Sequence, residues 1–224
     1  MNAPTPTLNA RDGYRLWAPT YADETAISHL DDQLAKALTP PLAGLRLLDA
    51  GCGAGRRLLG CGATSAVGVD LSPEMLAAGG DAGAALMVGD VRALPLPDRA
   101  FDMIWCRLVI GHVPDCRPAY AELARVADVG AEVLVTDFHP NAWAAGHRRT
   151  FRHNDIVCEV EHYVHPARAQ IEAARACGLR LVEERQAEIG PEVRRFYERA
   201  GRLGLYEQHL GLPVVLALAF RREA

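Results

Sequence analysis

Three apolar runs of the sequence each end in an aspartate, and the first run continues into a glycine-rich turn. Asp49 is followed by three glycines at alternate positions, Gly51, Gly53 and Gly55. Glycines let the chain turn sharply and let a ligand approach bare backbone. Asp70 ends the next run, where its carboxylate can accept both hydroxyls of a ribose. Asp90 ends the third run, beside Val91, where an adenine ring could lie. The pattern indicates a site for a nucleoside-bearing ligand.

Two common nucleotide motifs do not fit this turn. A dinucleotide fingerprint needs G-x-G-x-x-G, but position 56 is Arg, and a phosphate-binding P-loop needs a lysine that is absent here. Two structural interpretations stay open. The glycines could form a tight strand–helix turn without a ligand, and Asp70 and Asp90 could each be a helix N-cap.

Histidines supply the candidates for acid–base chemistry. His112 follows the fourth apolar run, and we predict it as a general base with a near-neutral pKa, with a structural histidine as the alternative. His139 is the second candidate. Five of the eight histidines lie in residues 138–165, but only His162 and His165 are three positions apart, so we expect no metal ion.

Seven apolar runs, separated by turn or helix signals, must position these residues. They are 45–50, 66–70, 86–90, 101–106, 132–137, 179–184 and 214–220. Continuous apolar runs are typical of strands buried on both faces of a parallel sheet. Helices are predicted from Ser72 as N-cap, over 115–126, and from Pro166 to Cys177. The alternation predicts a doubly wound α/β fold with a mostly parallel, seven-stranded sheet in one domain, 1–224.

Two segments interrupt the alternation. Within 138–165 we predict a hairpin around His153-Asn154-Asp155, and within 190–211 a short amphipathic helix. Long insertions between core strands are often lids or binding loops. We therefore predict that both segments form the site of a second substrate.

Composition restricts the class of protein. The 224 residues include 24 basic and 28 acidic side chains, a net charge of −4, which argues against a nucleic-acid partner. The apolar stretch 212–220 is too short for a membrane span, and the N-terminal residues do not form a secretory signal. The six cysteines form no CxxC, so we expect a reduced, cytoplasmic protein with no membrane partner.

Three motifs together resemble the class I S-adenosylmethionine-dependent methyltransferases, small-molecule type, such as ubiquinone/menaquinone and biotin-precursor methyltransferases. They are LLDAGCGAG, VGVDLSPEML and GDVRALPLPDRAFDMIWC, and they fall in the order found in that superfamily within the span 45–137. The segment YRLWAPTYAD resembles the helix that caps the cofactor in these enzymes, within a predicted N-terminal cap over 1–40. The span from Gly55 to Asp70 is short for a full first helix, and ADVG (127–130) replaces a Lys-Pro-Gly-Gly turn.

The resemblance implies a Rossmann-like fold, S-adenosylmethionine as cofactor and S-adenosylhomocysteine as product. The implied cofactor-binding residues are Tyr14, Tyr21, Asp49, Gly51, Cys52, Gly53, Gly55, Asp70, Leu71, Asp90, Val91, Cys106 and Arg107. The residues predicted to contact a small-molecule acceptor are Trp17, His112, His139, Trp143 and Tyr163. Asp49 would face the amino group of the methionine moiety indirectly, Asp70 would bind the ribose diol, and Leu71 would pack on the adenine.

Three alternatives remain at this point. A methyltransferase acting on protein or nucleic acid is disfavoured by the charge and by Cys106-Arg-Leu-Val109, which stands where methylators of exocyclic amines carry an Asn/Asp-Pro-Pro-Tyr/Phe motif. A non-catalytic protein that binds the same cofactor is compatible with the motifs. A nicotinamide oxidoreductase is disfavoured by the glycine spacing.

Overall fold

The computed structural model describes residues 5–21, 24–80 and 83–224. The strands in these ranges are β1 (Thr7–Leu8), β2 (Arg46–Ala50), β3 (Ser65–Asp70), β4 (Ala85–Val88), β5 (Phe101–Arg107), β6 (Ala127–Phe138), β7 (Thr150–His153), β8 (Ile156–Val160), β9 (Leu179–Glu188) and β10 (Pro213–Arg222). The helices are α1 (Ala10–Trp17), α2 (Ala26–Leu38), α3 (Pro73–Ala78), α4 (Arg117–Val126), α5 (Pro140–Ala144), α6 (Ala167–Ala176), α7 (Arg194–Arg199) and α8 (Leu203–His209).

Seven strands form one sheet in the order β4-β3-β2-β5-β6-β10-β9. The first five are parallel to one another, and β10 is antiparallel to both β6 and β9. Each of the seven predicted runs is a strand of this sheet, so the predicted doubly wound sheet is confirmed. The carboxyl ends of β2, β3 and β5 meet at one edge, which is where ligands bind in open α/β sheets.

The two faces of the sheet carry separate hydrophobic cores. On one face, Tyr120 and Leu123 of α4 pack with Ala174 of α6. On the other face, the core contains Leu30 of α2 and Tyr206 of α8. Continuous apolar strands suit this arrangement because both of their faces are covered.

The connection from β2 to β3 contains no helix in residues 51–64, all of which are described. Glycines with positive φ recur along it, including Gly60 and Gly62, and such residues favour turns over helical propagation. The short span between Gly55 and Asp70 therefore forms a compact series of turns.

The local helix signals have mixed outcomes. The Ser72 hydroxyl accepts from the backbone N–H of Met75 and caps α3, as predicted. Helices α4 and α6 occur where predicted. The single helix predicted within 190–211 is wrong, because a 3-10 turn and two short helices occupy the segment and Gly201, with φ of 65°, follows α7.

A second, three-stranded sheet has the order β1-β8-β7. Its hairpin of β7 and β8 turns at Asn154 and Asp155, whose φ values of 47° and 62° suit a two-residue turn, so the predicted hairpin is confirmed. Phe151 of this hairpin packs with Tyr14 and Trp17 of α1. The N-terminal helix and the hairpin thus form one layer beside the main sheet. Residues 1–4, 22 and 23 of the predicted N-terminal cap lie outside the described residues.

Within the described ranges, no helix combines the length and the apolar character that crossing a membrane requires.

Candidate functional site

A cavity of about 380 Å³ lies at the carboxyl ends of β2, β3 and β5, beneath α1. Its lining includes Tyr14, Tyr21, Gly51, Cys52, Gly53, Asp70, Leu71, Val91, Arg107 and His112. The structure therefore brings together nine of the thirteen residues predicted to bind the cofactor, along with His112. Asp49, Gly55, Asp90 and Cys106 do not line it.

The glycine-rich turn is held by the neighbouring strand. The backbone N–H groups of Gly51 and Cys52 both donate to the carbonyl oxygen of Val69, at 2.7 and 3.0 Å. Gly51 has φ of 86°, and a Cβ there would lie 2.1 Å from the Cγ2 of Val109. Only glycine fits this position, and the turn exposes backbone to the cavity.

Asp49 is fully buried under the turn, and neither of its carboxylate oxygens has a hydrogen-bond partner among the described residues. Burial raises the pKa of this carboxyl, while the nearby guanidinium groups of Arg57 and Arg107 oppose the rise. A buried, unpaired carboxylate is costly, so this position suits a cationic ligand group.

Asp70 lines the cavity and also braces the turn. Its Oδ2 accepts from the N–H of Gly53 at 2.7 Å, and its Oδ1 accepts from the N–H of Ser72 at 2.9 Å. Burial raises the pKa of Asp70, and these backbone hydrogen bonds oppose the rise. The backbone of Leu71 also bonds to this carboxylate, which still has lone-pair capacity for a ligand hydroxyl.

The side chain of Asp90 does not line the cavity. Its carboxylate accepts from the Nε and Nη2 of Arg92, which lowers its pKa, and it is outside the cavity lining. Its neighbours Val91 and Arg92 supply that part of the wall. Cys106 is fully buried in the core.

An ionic cluster below the cavity was missed by the sequence analysis. The buried Asp31 of α2 accepts from the Thr136 hydroxyl at 2.6 Å, from Arg107 Nη2 at 2.7 Å and from Arg57 Nη2 at 3.3 Å. Asp32 forms a second ion pair with Arg107. The Nε atoms of both arginines are buried without a hydrogen-bond partner in the described structure, although Arg57 Nε lies 3.8 Å from Asp32 Oδ1. In the sequence, the cluster could have been suspected only from Asp31, an aspartate on the apolar face of α2.

Both ring nitrogens of His112 are in hydrogen bonds. Nδ1 donates to the carbonyl oxygen of Glu161 at 3.1 Å, so Nε2 accepts from the Tyr14 hydroxyl at 2.9 Å. Burial lowers the pKa of His112 to about 3, and Arg149 adds to that effect. This histidine is therefore neutral at physiological pH and orients the Tyr14 hydroxyl.

Of the other residues predicted to contact the acceptor, one lines a cavity and three do not. Trp17 lines a second cavity, whereas His139, Trp143 and Tyr163 line neither of the two. His139 instead caps α5, accepting at Nδ1 from the N–H of Asn141. Trp143 contacts the guanidinium of Arg148 and stacks with the ring of His162.

The second cavity, of about 210 Å³, adjoins the first and shares with it Tyr21, Arg56, Arg57 and Leu108. Leu108 has φ of 59°, a strained conformation for a side-chain-bearing residue. The other residues that line the second cavity include Trp17, Phe138, Arg148, Arg149 and His162. The two cavities together can hold a cofactor and a second molecule side by side.

His162 was considered in the sequence only as a metal ligand, yet it lines this second cavity. Its Nε2 is buried and has no partner in the part of the chain that is described. Its ring lies against Gly111, where a Cβ would be 2.1 Å from Cε1. Burial lowers its pKa to about 4, so a neutral imidazole faces the cavity.

We expect Asp137 to make the stability of the protein pH-dependent. Burial raises its pKa to about 7, against about 3.9 in an unfolded chain. Between those values the folded state binds more protons, so the free energy of unfolding falls as the pH rises from 4 to 7. In urea unfolding, the free energy of unfolding of the wild type should fall by about 2–3 kcal/mol more than that of D137N between pH 5 and pH 8. D155N, in the exposed hairpin turn, is the control. Parallel pH profiles for wild type and D137N would contradict the assignment.

Comparison with known proteins agrees with this geometry. Residues 48–135 match the family described as "Methyltransferase domain". Over these residues the chain is similar to that family. The 27-O-demethylrifamycin SV methyltransferase of Amycolatopsis mediterranei (strain S699) is 32% identical over 126 residues, 51% of this chain and 46% of that protein. The demethylmenaquinone methyltransferase of Roseiflexus sp. (strain RS-1) is 39% identical over 102 residues, 42% of each protein. The matches thus span less than half the length of these relatives.

A solved structure shares the fold beyond the matched residues. The S-adenosylmethionine-dependent methyltransferase from Mesorhizobium loti superposes with a TM-score of 0.67 at 20% identity, covering 86% of this chain and 98% of that one. The fold is that of class I S-adenosylmethionine-dependent methyltransferases, as the motifs predicted.

Proposed function

We propose that this protein is an S-adenosylmethionine-dependent methyltransferase that acts on a small-molecule acceptor and releases S-adenosylhomocysteine. The observation that carries the proposal is the charge arrangement at the glycine-rich turn. Asp49, buried beneath the turn and outside the lining, has two carboxylate oxygens without a hydrogen-bond partner among the described residues, and Arg57 and Arg107, which line the cavity, lie in the same region. An amino acid moiety has the complementary ammonium and carboxylate.

The remaining lining fits the nucleoside half of the cofactor. Asp70 supplies a carboxylate for the ribose hydroxyls, and Leu71 and Val91 supply apolar surfaces for the adenine. We place Asp90 in this half as well, through its neighbours Val91 and Arg92. Tyr14 and Tyr21 cover the cavity from the N-terminal segment.

The bound cofactor supplies a methyl carbon already activated by a sulfonium centre. The protein then has to align a nucleophile behind that carbon and exclude water. The acceptor lone pair forms the new bond as the carbon–sulfur bond breaks, and the sulfur keeps the electron pair. If the nucleophile carries a proton, His162 Nε2 is the candidate to take it, because the nitrogens of His112 are already engaged.

The proposed acceptor site is the second cavity, between the N-terminal segment and residues 138–165. Two relatives are named for methylating a rifamycin and a demethylmenaquinone, which supports a small molecule as acceptor. The net charge of −4 supports the absence of nucleic acid as a partner. The six cysteines, all free, support a cytoplasmic protein.

Calorimetric titration with S-adenosylhomocysteine tests the proposal, with NAD as the control ligand. We expect micromolar binding of S-adenosylhomocysteine alone. Preferential binding of NAD would overturn the proposal. Turnover of acceptors, detected as S-adenosylhomocysteine release, then separates an enzyme from a protein that only binds the cofactor.

Replacing Asp70 by Ala should weaken S-adenosylhomocysteine binding. The variant loses a charged acceptor for the ribose and an anchor for the turn at Gly53. Hydrogen bonds to charged groups of this kind correspond to about a tenfold or larger increase in Kd. Asp98→Ala, on an exposed ion pair with Arg125, is the matched control. An unchanged Kd in D70A would remove Asp70 from the binding site.

A further inference from the structure

The charges in the second cavity identify a class of acceptor. We infer that the acceptor carries an oxyanion, a carboxylate or a phosphate, and that Arg149 binds it there. This inference rests on the proposed function, because it takes the second cavity to be the acceptor site.

The lining of the second cavity is rich in arginine and, among the described residues, contains no acidic side chain. Two of its arginines have carboxylates nearby. Arg57 pairs with Asp31 at 3.3 Å, and Arg148, stacked on Trp143, lies 4.0 Å from Glu159.

Arg149 differs from them, because no carboxylate of the described residues lies within 4.0 Å of it. Its contacts are a long hydrogen bond from Nη1 to the carbonyl oxygen of Leu108, at 3.5 Å, a hydrogen bond to the Tyr21 side chain and the ring of Tyr14. Asp137 is close enough to influence it electrostatically but forms no ion pair with it. Arg149 is half-buried, and the described residues leave its guanidinium without a full counter-charge.

A half-buried cation without a carboxylate partner is stabilised by an anionic ligand. The planar guanidinium presents parallel N–H donors that match a carboxylate or phosphate, which favours an oxyanion over a spherical anion. Binding of such a group would supply the counter-charge that the protein itself leaves out.

The walls describe the rest of the acceptor. Trp17, Tyr21 and Phe138 surround the space with aromatic surface, which suits a flat apolar body. His162 adds one unpartnered ring nitrogen that can bond a hydroxyl or amine of the acceptor. The acceptor is therefore a small aromatic or similarly flat acid.

Three probes of one shape test the inference: 2-naphthoate, 2-naphthyl phosphate and the neutral 2-naphthamide. Each is titrated calorimetrically into the protein, with and without saturating S-adenosylhomocysteine. We expect at least one of the two anions to bind about tenfold or more tightly than the amide. The ratio between naphthoate and naphthyl phosphate then distinguishes a carboxylate from a phosphate site.

Two variants assign the preference to Arg149. R149M should bring the anion-to-amide ratio of affinities close to one, and R149K, which keeps the charge but not the planar donors, should give an intermediate ratio. R152M is the matched control, because Arg152 lies three residues further along the chain in β7, is exposed and lines neither cavity. It should keep the wild-type ratio.

The inference is overturned if the amide binds as tightly as both anions, if none of the probes binds to protein that does bind S-adenosylhomocysteine, or if R149M keeps the preference. Failure of the proposed function looks different. In that case S-adenosylhomocysteine does not bind, whereas an anion preference that depends on Arg149 is still measured in its absence.

Discussion

Replacing Asp49 by Asn should raise the Kd for S-adenosylhomocysteine by about 10- to 100-fold, the largest effect on binding that we expect from a single substitution. The variant keeps the size of the side chain but loses the negative charge that would attract the ligand ammonium. Both carboxylate oxygens of Asp49 are unpaired in the described structure, so few protein contacts are lost with them.

The same substitution should leave the ligand-free protein as stable as the wild type or more stable. Burial raises the pKa of Asp49 in the folded state, so its contribution to stability is lost as the pH rises above the unfolded value of about 3.9. D49N removes a carboxyl group whose ionised form is disfavoured by burial. Stability and binding should therefore change in opposite directions.

Thermal unfolding with and without S-adenosylhomocysteine measures both effects. In D49N the midpoint without ligand should be equal or higher, and the increase caused by the ligand should largely disappear. D128N, on an exposed ion pair with Arg46, is the control and should keep the full ligand-induced increase. If D49N instead lowers the ligand-free midpoint and keeps normal binding, Asp49 has a structural role only.

Replacing Asp31 by Ala should produce the largest loss of stability, about 3–5 kcal/mol. Asp31 is completely buried and accepts hydrogen bonds from Arg57, Arg107 and Thr136. Its removal would leave both guanidinium groups with reduced counter-charge at the floor of the first cavity. Urea unfolding at neutral pH gives the free energy directly.

Asp32 provides a closely matched comparison, because it is the next residue in α2 and also pairs with Arg107. Its side chain is 49% exposed, so water screens the pair and compensates its loss. D32A should cost no more than about 1 kcal/mol. Equal losses in D31A and D32A would show that burial of Asp31 does not determine its contribution.

The sequence was sufficient for the features that depend on neighbouring residues. Each of the seven apolar runs became a strand, and the glycines after Asp49 became a turn that exposes backbone. Asp70 lines the same cavity because parallel strands bring their carboxyl ends to one edge, so a residue at a strand end is placed by topology alone.

The sequence did not determine the direction in which the predicted site side chains point. Asp90 occupies an equivalent strand end, but Arg92, two residues later, binds its carboxylate and keeps it outside the lining. His112 follows the predicted strand, yet Tyr14 and Glu161 engage its nitrogens from 98 and 49 positions away. His139 and Trp143 lie in the predicted insertion and line neither cavity.

The sequence by itself determined the α/β fold, the hairpin in 138–165 and the position of the glycine-rich turn, because hydrophobic periodicity and turn chemistry act over a few residues. Only the tertiary structure decided that Asp31 would meet Arg107 across 76 positions, and that Arg149 and His162 would face one cavity beside Trp17. Such contacts depend on how the N-terminal helices and the hairpin pack together. No local pattern encodes the direction in which a side chain points after that packing.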